Sequence, residues 1–157
     1  MPETERFPRW MVEFVSHKWG RNFARGVYTP LDKAIYKLTG GRRGLSPPQT
    51  VLYLTTTGRK SGKPRRVPVL FLRDGDRYWV MASNYGTQRH PAWSANLLAN
   101  PEATIQRGTR TVEVRARLAS REEKDQLWPR LLELYPAWKQ YSEWTDRDFR
   151  LFCLEPR

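Results

Sequence analysis

The chain has 157 residues, 28 Lys+Arg against 16 Asp+Glu, a net charge of +12 and one cysteine. That length suits one domain with a real core, and 39% hydrophobic with 13% aromatic residues excludes a wholly disordered chain. Cys153 alone cannot form an internal disulfide, and with only His17 and His90 as further soft ligands no metal site is expected. No apolar run approaches the length of a membrane span, and the start MPETERFPRWMVEF lacks the apolar core of a secretion signal, so the expected compartment is the cytoplasm.

Residues 8–26 carry Trp10, Met11, Phe14, Val15, Trp19 and Phe23, preceded by Phe7, at offsets of three and four that share one helical face. Arg9, His17, Lys18, Arg21 and Arg25 fall mostly elsewhere, which suits either a helix packed on a barrel or one lying on an acidic membrane surface. A second helix is expected to begin at Thr29 as cap with Pro30 at its first position, and to stop at Gly40–Gly41. Arg42–Gln49 reads as a loop. Val51–Thr57, Arg65–Arg73 and Arg77–Ser83 read as strands, the last two joined by the turn Asp74-Gly75-Asp76. Pro91–Leu98 suits a short helix, and Glu102–Arg107 with Thr111–Leu118 a hairpin through Gly108. Ser120 and Glu123 have capping-box spacing ahead of a helix that buries Leu127, Trp128, Leu131 and Leu132. Phe149–Leu154 closes the chain as a strand. Six strands with mostly short connections argue for antiparallel pairing and a small barrel with helices packed outside it.

The charge is uneven. Residues 1–66 hold 14 Lys/Arg and four Asp/Glu, and no acid lies between Lys33 and Arg73. Such an excess points to an anionic partner: nucleic acid, an acidic membrane, or a multiply charged small molecule. Its densest part, TTTGRKSGKPRR over residues 55–66, sets Arg59, Lys60, Lys63, Arg65 and Arg66 beside Gly58, Gly62 and the hydroxyls of Thr57 and Ser61. That suits a phosphate or several carboxylates, without the spacing of a Walker loop. A second constellation runs through Ala82-Ser83-Asn84-Tyr85-Gly86 to His90-Pro91-Ala92-Trp93 and Asn96. Ser83 lacks the surroundings of a hydrolase nucleophile. Tyr135, Trp138 and Tyr141 recur at every third position, so their rings can line one wall, and each polar tip needs a partner.

The ordered set LTTTGRKSGKPR, FLRDGDRYWVMAS, HPAW, NLLANP, Leu134-Tyr135-Pro136 and Trp144-Thr145-Asp146-Arg147 resembles the deazaflavin-dependent nitroreductase and quinone-reductase family of actinobacteria. The resemblance implies an α+β chain: a helical segment at 1–45, then a split β-barrel at 46–157 that binds coenzyme F420, a deazaflavin with a phosphate and a polyglutamate tail. By that pattern Arg59, Lys60 and Arg65, with Ser61, hold the phosphate and tail. Val67, Pro68, Ala82, Ser83, Asn84, Tyr85 and Gly86 contact the ring system, and Ala92, Trp93 and Asn96 close its surroundings. Ser83, Tyr135 and Tyr141 carry the chemistry, and Leu70 and Trp138 join the two tyrosines around the acceptor, a quinone or nitro compound. Leu70 and Trp138 stand where the best-known members have tyrosines, and Asn84-Tyr85-Gly86 stands where relatives can have Lys-Gly-Gly. With a small molecule as partner, nucleic acid is not expected. An FMN-dependent split-barrel enzyme and a non-catalytic binder of the cofactor or of an anionic surface are the alternative readings.

Overall fold

The computed structural model describes residues 9–40, 45 and 51–157. Phe7 and, Leu45 apart, the expected loop Arg42–Gln49 lie outside the described residues. Six strands, β1 (Val51–Thr57), β2 (Pro64–Asp74), β3 (Arg77–Ala82), β4 (Glu102–Arg107), β5 (Arg110–Leu118) and β6 (Arg150–Pro156), close a barrel in the order β1-β2-β3-β6-β5-β4. Every pair is antiparallel, and β4 returns to β1 with Leu54 opposite Ile105.

The period of two along each strand builds two cores. Inside the barrel lie Leu52, Leu54, Val80, Ile105, Val114, Phe152 and Leu154, all buried. Their alternates Leu72, Trp79, Met81, Leu151 and Cys153 face outward. They pack under helices α5 (Arg121–Leu134) and α6 (Ala137–Glu143) with Val15 and Ala24 from the N-terminal helices. The capping box forms as its spacing predicts: Ser120 Oγ accepts from Glu123 N, and Glu123 accepts from Ser120 N.

The N-terminal region departs from one continuous helix. It is α1 (Arg9–Val15), α2 (Lys18–Phe23), a π-helical turn Ala24–Tyr28 and α3 (Thr29–Leu38). Ser16 Oγ donates to the Val12 carbonyl at 2.6 Å, a back-bond that competes with the helix ladder, and His17 is extended. Gly20 lets α2 fold tightly on α1, since a Cβ there would sit 1.8 Å from the Phe14 carbonyl oxygen. Thr29 does not cap: the chain runs helically through Tyr28, and Thr29 Oγ1 donates back to the Ala24 carbonyl instead.

α3 is fastened to the barrel by polar groups. Asp32 is fully buried and accepts from Tyr53 Oη at 3.2 Å and from the Leu45 N–H. Tyr36 stacks on Tyr53 with ring centroids 3.7 Å apart and donates to Gln106 Oε1, while the Arg66 guanidinium lies 5.0 Å from the Tyr36 ring centroid.

Candidate active site

A cavity of about 1020 Å³ opens between the barrel and the N-terminal helices. One wall is barrel: Val67, Pro68, Val69 and Leu70 of β2, Met81 of β3, then Ser83, Asn84 and Tyr85. Ala92 and Trp93 of helix α4 (Ala92–Ala99) close one side, and Tyr135, Trp138 and Tyr141 another. The opposite wall is Trp10, Met11, Phe14, Trp19, Phe23 and Tyr28 from the helices. Eleven expected site residues therefore share one space: Val67, Pro68, Leu70, Ser83, Asn84, Tyr85, Ala92, Trp93, Tyr135, Trp138 and Tyr141. Sequence reasoning missed the opposite wall, because a helical face of Trp and Phe looks the same whether it lines a cavity or fills a core.

Ala82, Gly86 and Asn96 are not among the lining residues; they fix what is. Ala82 is sealed in the barrel core. Gly86 has φ +69, and a Cβ there would meet the Tyr141 carbonyl oxygen at 2.8 Å, so this position brings the loop against α6. Asn96 donates through Nδ2 to Thr56 Oγ1 at 3.0 Å and accepts the Arg59 N–H at 3.1 Å. It thus ties α4, which faces the cavity, to the basic loop between β1 and β2.

That loop lies beside the cavity rather than in its lining. Gly58 N donates to the Lys63 carbonyl at 2.8 Å, Gly62 N to the Gly58 carbonyl at 2.7 Å, and Ser61 Oγ accepts from Lys63 N and Arg65 Nη2. Gly62 sits at φ +66, and a Cβ on Gly58 would come 2.6 Å from Ser61 Oγ. Among the described residues no carboxylate pairs with Arg59, Lys60, Lys63 or Arg65. Four cations without acidic partners are ready for an external anion.

The segment after β3 carries the strain. Asn84 (φ 45) and Tyr85 (φ 56) are consecutive non-glycine residues in the left-handed region, within the 3₁₀ turn Asn84–Gly86. Arg147 clamps this turn: Nη1 donates to the Ala82 carbonyl at 3.0 Å, Nη2 to the Ser83 carbonyl at 2.5 Å, and Nε to the Thr87 carbonyl at 3.0 Å. Nη1 also meets His90 Nδ1 at 3.0 Å, which makes that nitrogen the acceptor and the imidazole neutral. Burial, then the Arg150 and Arg147 charges, hold the His90 pKa below its ordinary 6.5. Asn84 Nδ2 closes the turn on Thr87 Oγ1 and the Arg89 carbonyl, both at 2.8 Å.

The polar tips on the wall find partners. Trp138 Nε1 donates to Ser83 Oγ at 3.2 Å, the Tyr135 and Tyr141 hydroxyls are 3.0 Å apart, and Tyr85 Oη lies 2.9 Å from Thr29 Oγ1. Burial raises the pKa of Tyr85, Tyr135 and Tyr141, so all three stay protonated donors at neutral pH.

An apolar cavity against a closed antiparallel barrel, with a basic loop whose cations have no acidic partner among the described residues, is the frame of a split-barrel oxidoreductase. Residues 30–156 match the family described as F420H(2)-dependent quinone reductase, and the chain belongs to that family of oxidoreductases, whose cofactor is coenzyme F420. A Mycobacterium tuberculosis protein provisionally named as an F420H(2)-dependent quinone reductase is 37% identical over 114 residues, covering 73% of this chain and 96% of its own length. A second from that organism, named without the proviso, is 38% identical over 104 residues, covering 62% of this chain and 68% of its own. The solved structure of an F420-H2 dependent reductase superposes with a TM-score of 0.62 at 36% identity, over 68% of this chain and 94% of that one. Among the described residues no helix is long and apolar enough to cross a membrane.

Proposed function

We propose that the chain binds F420 with its phosphate and glutamates on Arg59, Lys60, Ser61 and Arg65 and its ring system in the cavity, and reduces a quinone held beside it. The observation that carries this reading is the pairing of one apolar cavity of about 1020 Å³ with a basic loop whose cations have no acidic partners among the described residues. The cofactor has the same two-ended chemistry, so the residues present fit it. Bound in reduced form, the deazaflavin supplies a hydride, because carbon replaces the N5 that lets flavins pass single electrons.

The protein's own part is placement. Val67, Pro68 and the turn Ser83-Asn84-Tyr85 bound the ring from the barrel side, Ala92 and Trp93 from α4, and Asn96 keeps α4 and the basic loop in fixed relation. Leu70, Tyr135, Trp138 and Tyr141 surround the acceptor and exclude water. Ser83 and Tyr141 are the donors toward an oxygen that gains negative charge as the quinone accepts hydride; a proton from solvent then completes the hydroquinone. A nitroaromatic, which also gathers charge on oxygen, is a second acceptor class for the same donors. Titration with oxidised and reduced F420 followed by menadione turnover tests the reading. Saturable binding weakened by Lys60→Ala and Arg65→Ala is expected, and absence of saturable F420 binding refutes it.

A lipid surface is a second partner favoured by a specific observation. Trp10 is 67% exposed, Trp19 64% and Leu38 85%, with Phe23, Val27 and Leu31 half-exposed along the same helices that wall the cavity. Arg9, Lys18 and Arg25 flank them, a pattern suited to an anionic bilayer from which an apolar quinone is drawn. Co-sedimentation with phosphatidylglycerol vesicles, lost on removal of residues 1–40, is expected; equal pelleting of the truncated chain removes this partner.

A further inference from the structure

We infer that Trp138 is a positioning residue that turns the Ser83 hydroxyl into a committed hydrogen-bond donor toward the bound acceptor. The inference rests on the acceptor lying against Ser83, as proposed above. A serine hydroxyl has one hydrogen and two lone pairs, and alone in a cavity it rotates between donating and accepting. An indole N–H is donor only. At 3.2 Å, Trp138 Nε1 occupies a lone pair of Ser83 Oγ, so the serine's hydrogen is left for another acceptor. Among the described residues no protein acceptor takes that hydrogen, and both side chains line the cavity.

Neither partner is free to drift. Trp138 is 2% exposed, lies in the core cluster beneath α6 and meets the edge of Tyr135 at 5.4 Å and 71°. Ser83 is fixed through its own carbonyl by the Arg147 Nη2 contact at 2.5 Å. The indole's ring atoms serve as wall and its nitrogen as orienter. The interaction selects acceptors whose reacting group is an oxygen that becomes anionic, since a fixed O–H repels a donor and rewards growing negative charge. Trp138 thus acts on the reaction through Ser83, not by contact with the reacting atoms.

The test uses Ser83→Ala, Trp138→Phe and the double variant, each saturated with F420. Ser83→Ala is expected to lower menadione kcat about 10-fold or more, because one donor to the developing oxyanion is lost. Trp138→Phe keeps the ring and removes the N–H, with an expected loss of roughly 3- to 10-fold, mainly in kcat, the scale of one neutral hydrogen bond. In the Ser83→Ala background Trp138→Phe should cost nothing further. A readout without turnover is calorimetric binding of 4-nitrophenol to protein loaded with oxidised F420, on either side of the phenol's own pKa. Preference for the phenolate should fall in Trp138→Phe and in Ser83→Ala alike. Replacing the indole with benzothiophene, which keeps the bicyclic shape and lacks the N–H, repeats the comparison if phenylalanine loosens the fold. Losses that multiply in the double variant, or an unchanged phenolate preference, overturn the role of Trp138 alone. Normal F420 binding with Ser83→Ala fully active overturns the acceptor's position at Ser83 as well, and failure of F420 to bind the unaltered protein refutes the cofactor reading instead.

Discussion

Replacing Arg147 by lysine keeps the positive charge and removes the planar fork. The guanidinium serves three backbone carbonyls, Ala82, Ser83 and Thr87, and the His90 ring. One ammonium on a flexible stem reaches one of those carbonyls, so two charge-assisted hydrogen bonds are lost. Each is worth about 1.5–3 kcal/mol when buried; with the side chain only half-buried, roughly 2–4 kcal/mol in total is the expected loss. The loss falls on Asn84 and Tyr85, whose left-handed backbones each carry a cost of about 1–2 kcal/mol, so the turn is free to relax once unclamped. At about 2–4 °C per kcal/mol for a chain of this size, Tm should drop by roughly 5–15 °C. Hydrogen exchange read by mass spectrometry should show faster exchange at residues 83–88, and menadione KM should rise as the wall loses its shape. If Arg147→Lys shifts Tm by less than about 2 °C and amides 83–88 stay as protected as in the unaltered protein, the clamp does not hold the turn.

Gly86→Ala should cost about 2–5 kcal/mol in urea unfolding, combining left-handed strain with overpacking against the Tyr141 backbone at 2.8 Å. Gly62→Ala, at φ +66 with open space around it, should cost only about 1–2 kcal/mol, which makes it the control for strain alone. The depressed His90 pKa means the folded state favours the neutral ring: its stabilisation is present above pH 6.5 and is lost as pH falls through the lower folded value. Stability followed from pH 8 to 5 should therefore decline below about 6.5, the ordinary His pKa, and His90→Gln should flatten that decline. Glu123, held by Arg117 and the Ser120 backbone at a pKa of about 2 against an ordinary 4.5, contributes stability above 4.5 that is lost as pH falls toward 2. In Glu123→Gln that part of the acid transition should be missing from a circular-dichroism titration.

The barrel was readable because its information is local. Val51–Thr57 and Glu102–Arg107 form over the expected residues, and Asp74-Gly75-Asp76 turns the chain with Gly75 at φ +63. The gathering of Ser83, Tyr85, Trp93, Tyr135, Trp138 and Tyr141 on one cavity came from family resemblance, since nothing in their spacing brings residue 85 to residue 141. Arg147 illustrates what was not readable. It stands within the Trp144–Arg147 segment, yet its partners are backbone carbonyls 60 to 65 positions away, and a carbonyl has no signature in a sequence. The breaks at Ser16–His17 and Ala24–Tyr28 were hidden because offsets of three and four persist across them.

The cavity's two walls are held by different physics. The barrel side is locked by closed hydrogen-bonded register, in which a one-residue slip would turn every core side chain outward. The helical side rests on side-chain contacts, and Trp10, Phe14, Trp19 and Phe23 precede the residues at which family similarity begins. Substitutions there change the volume and polarity offered to an acceptor while leaving strand pairing untouched. The two faces of one pocket therefore answer to substitution differently: on the barrel side a change must respect strand register, and on the helical side it need only keep the packing of one apolar panel.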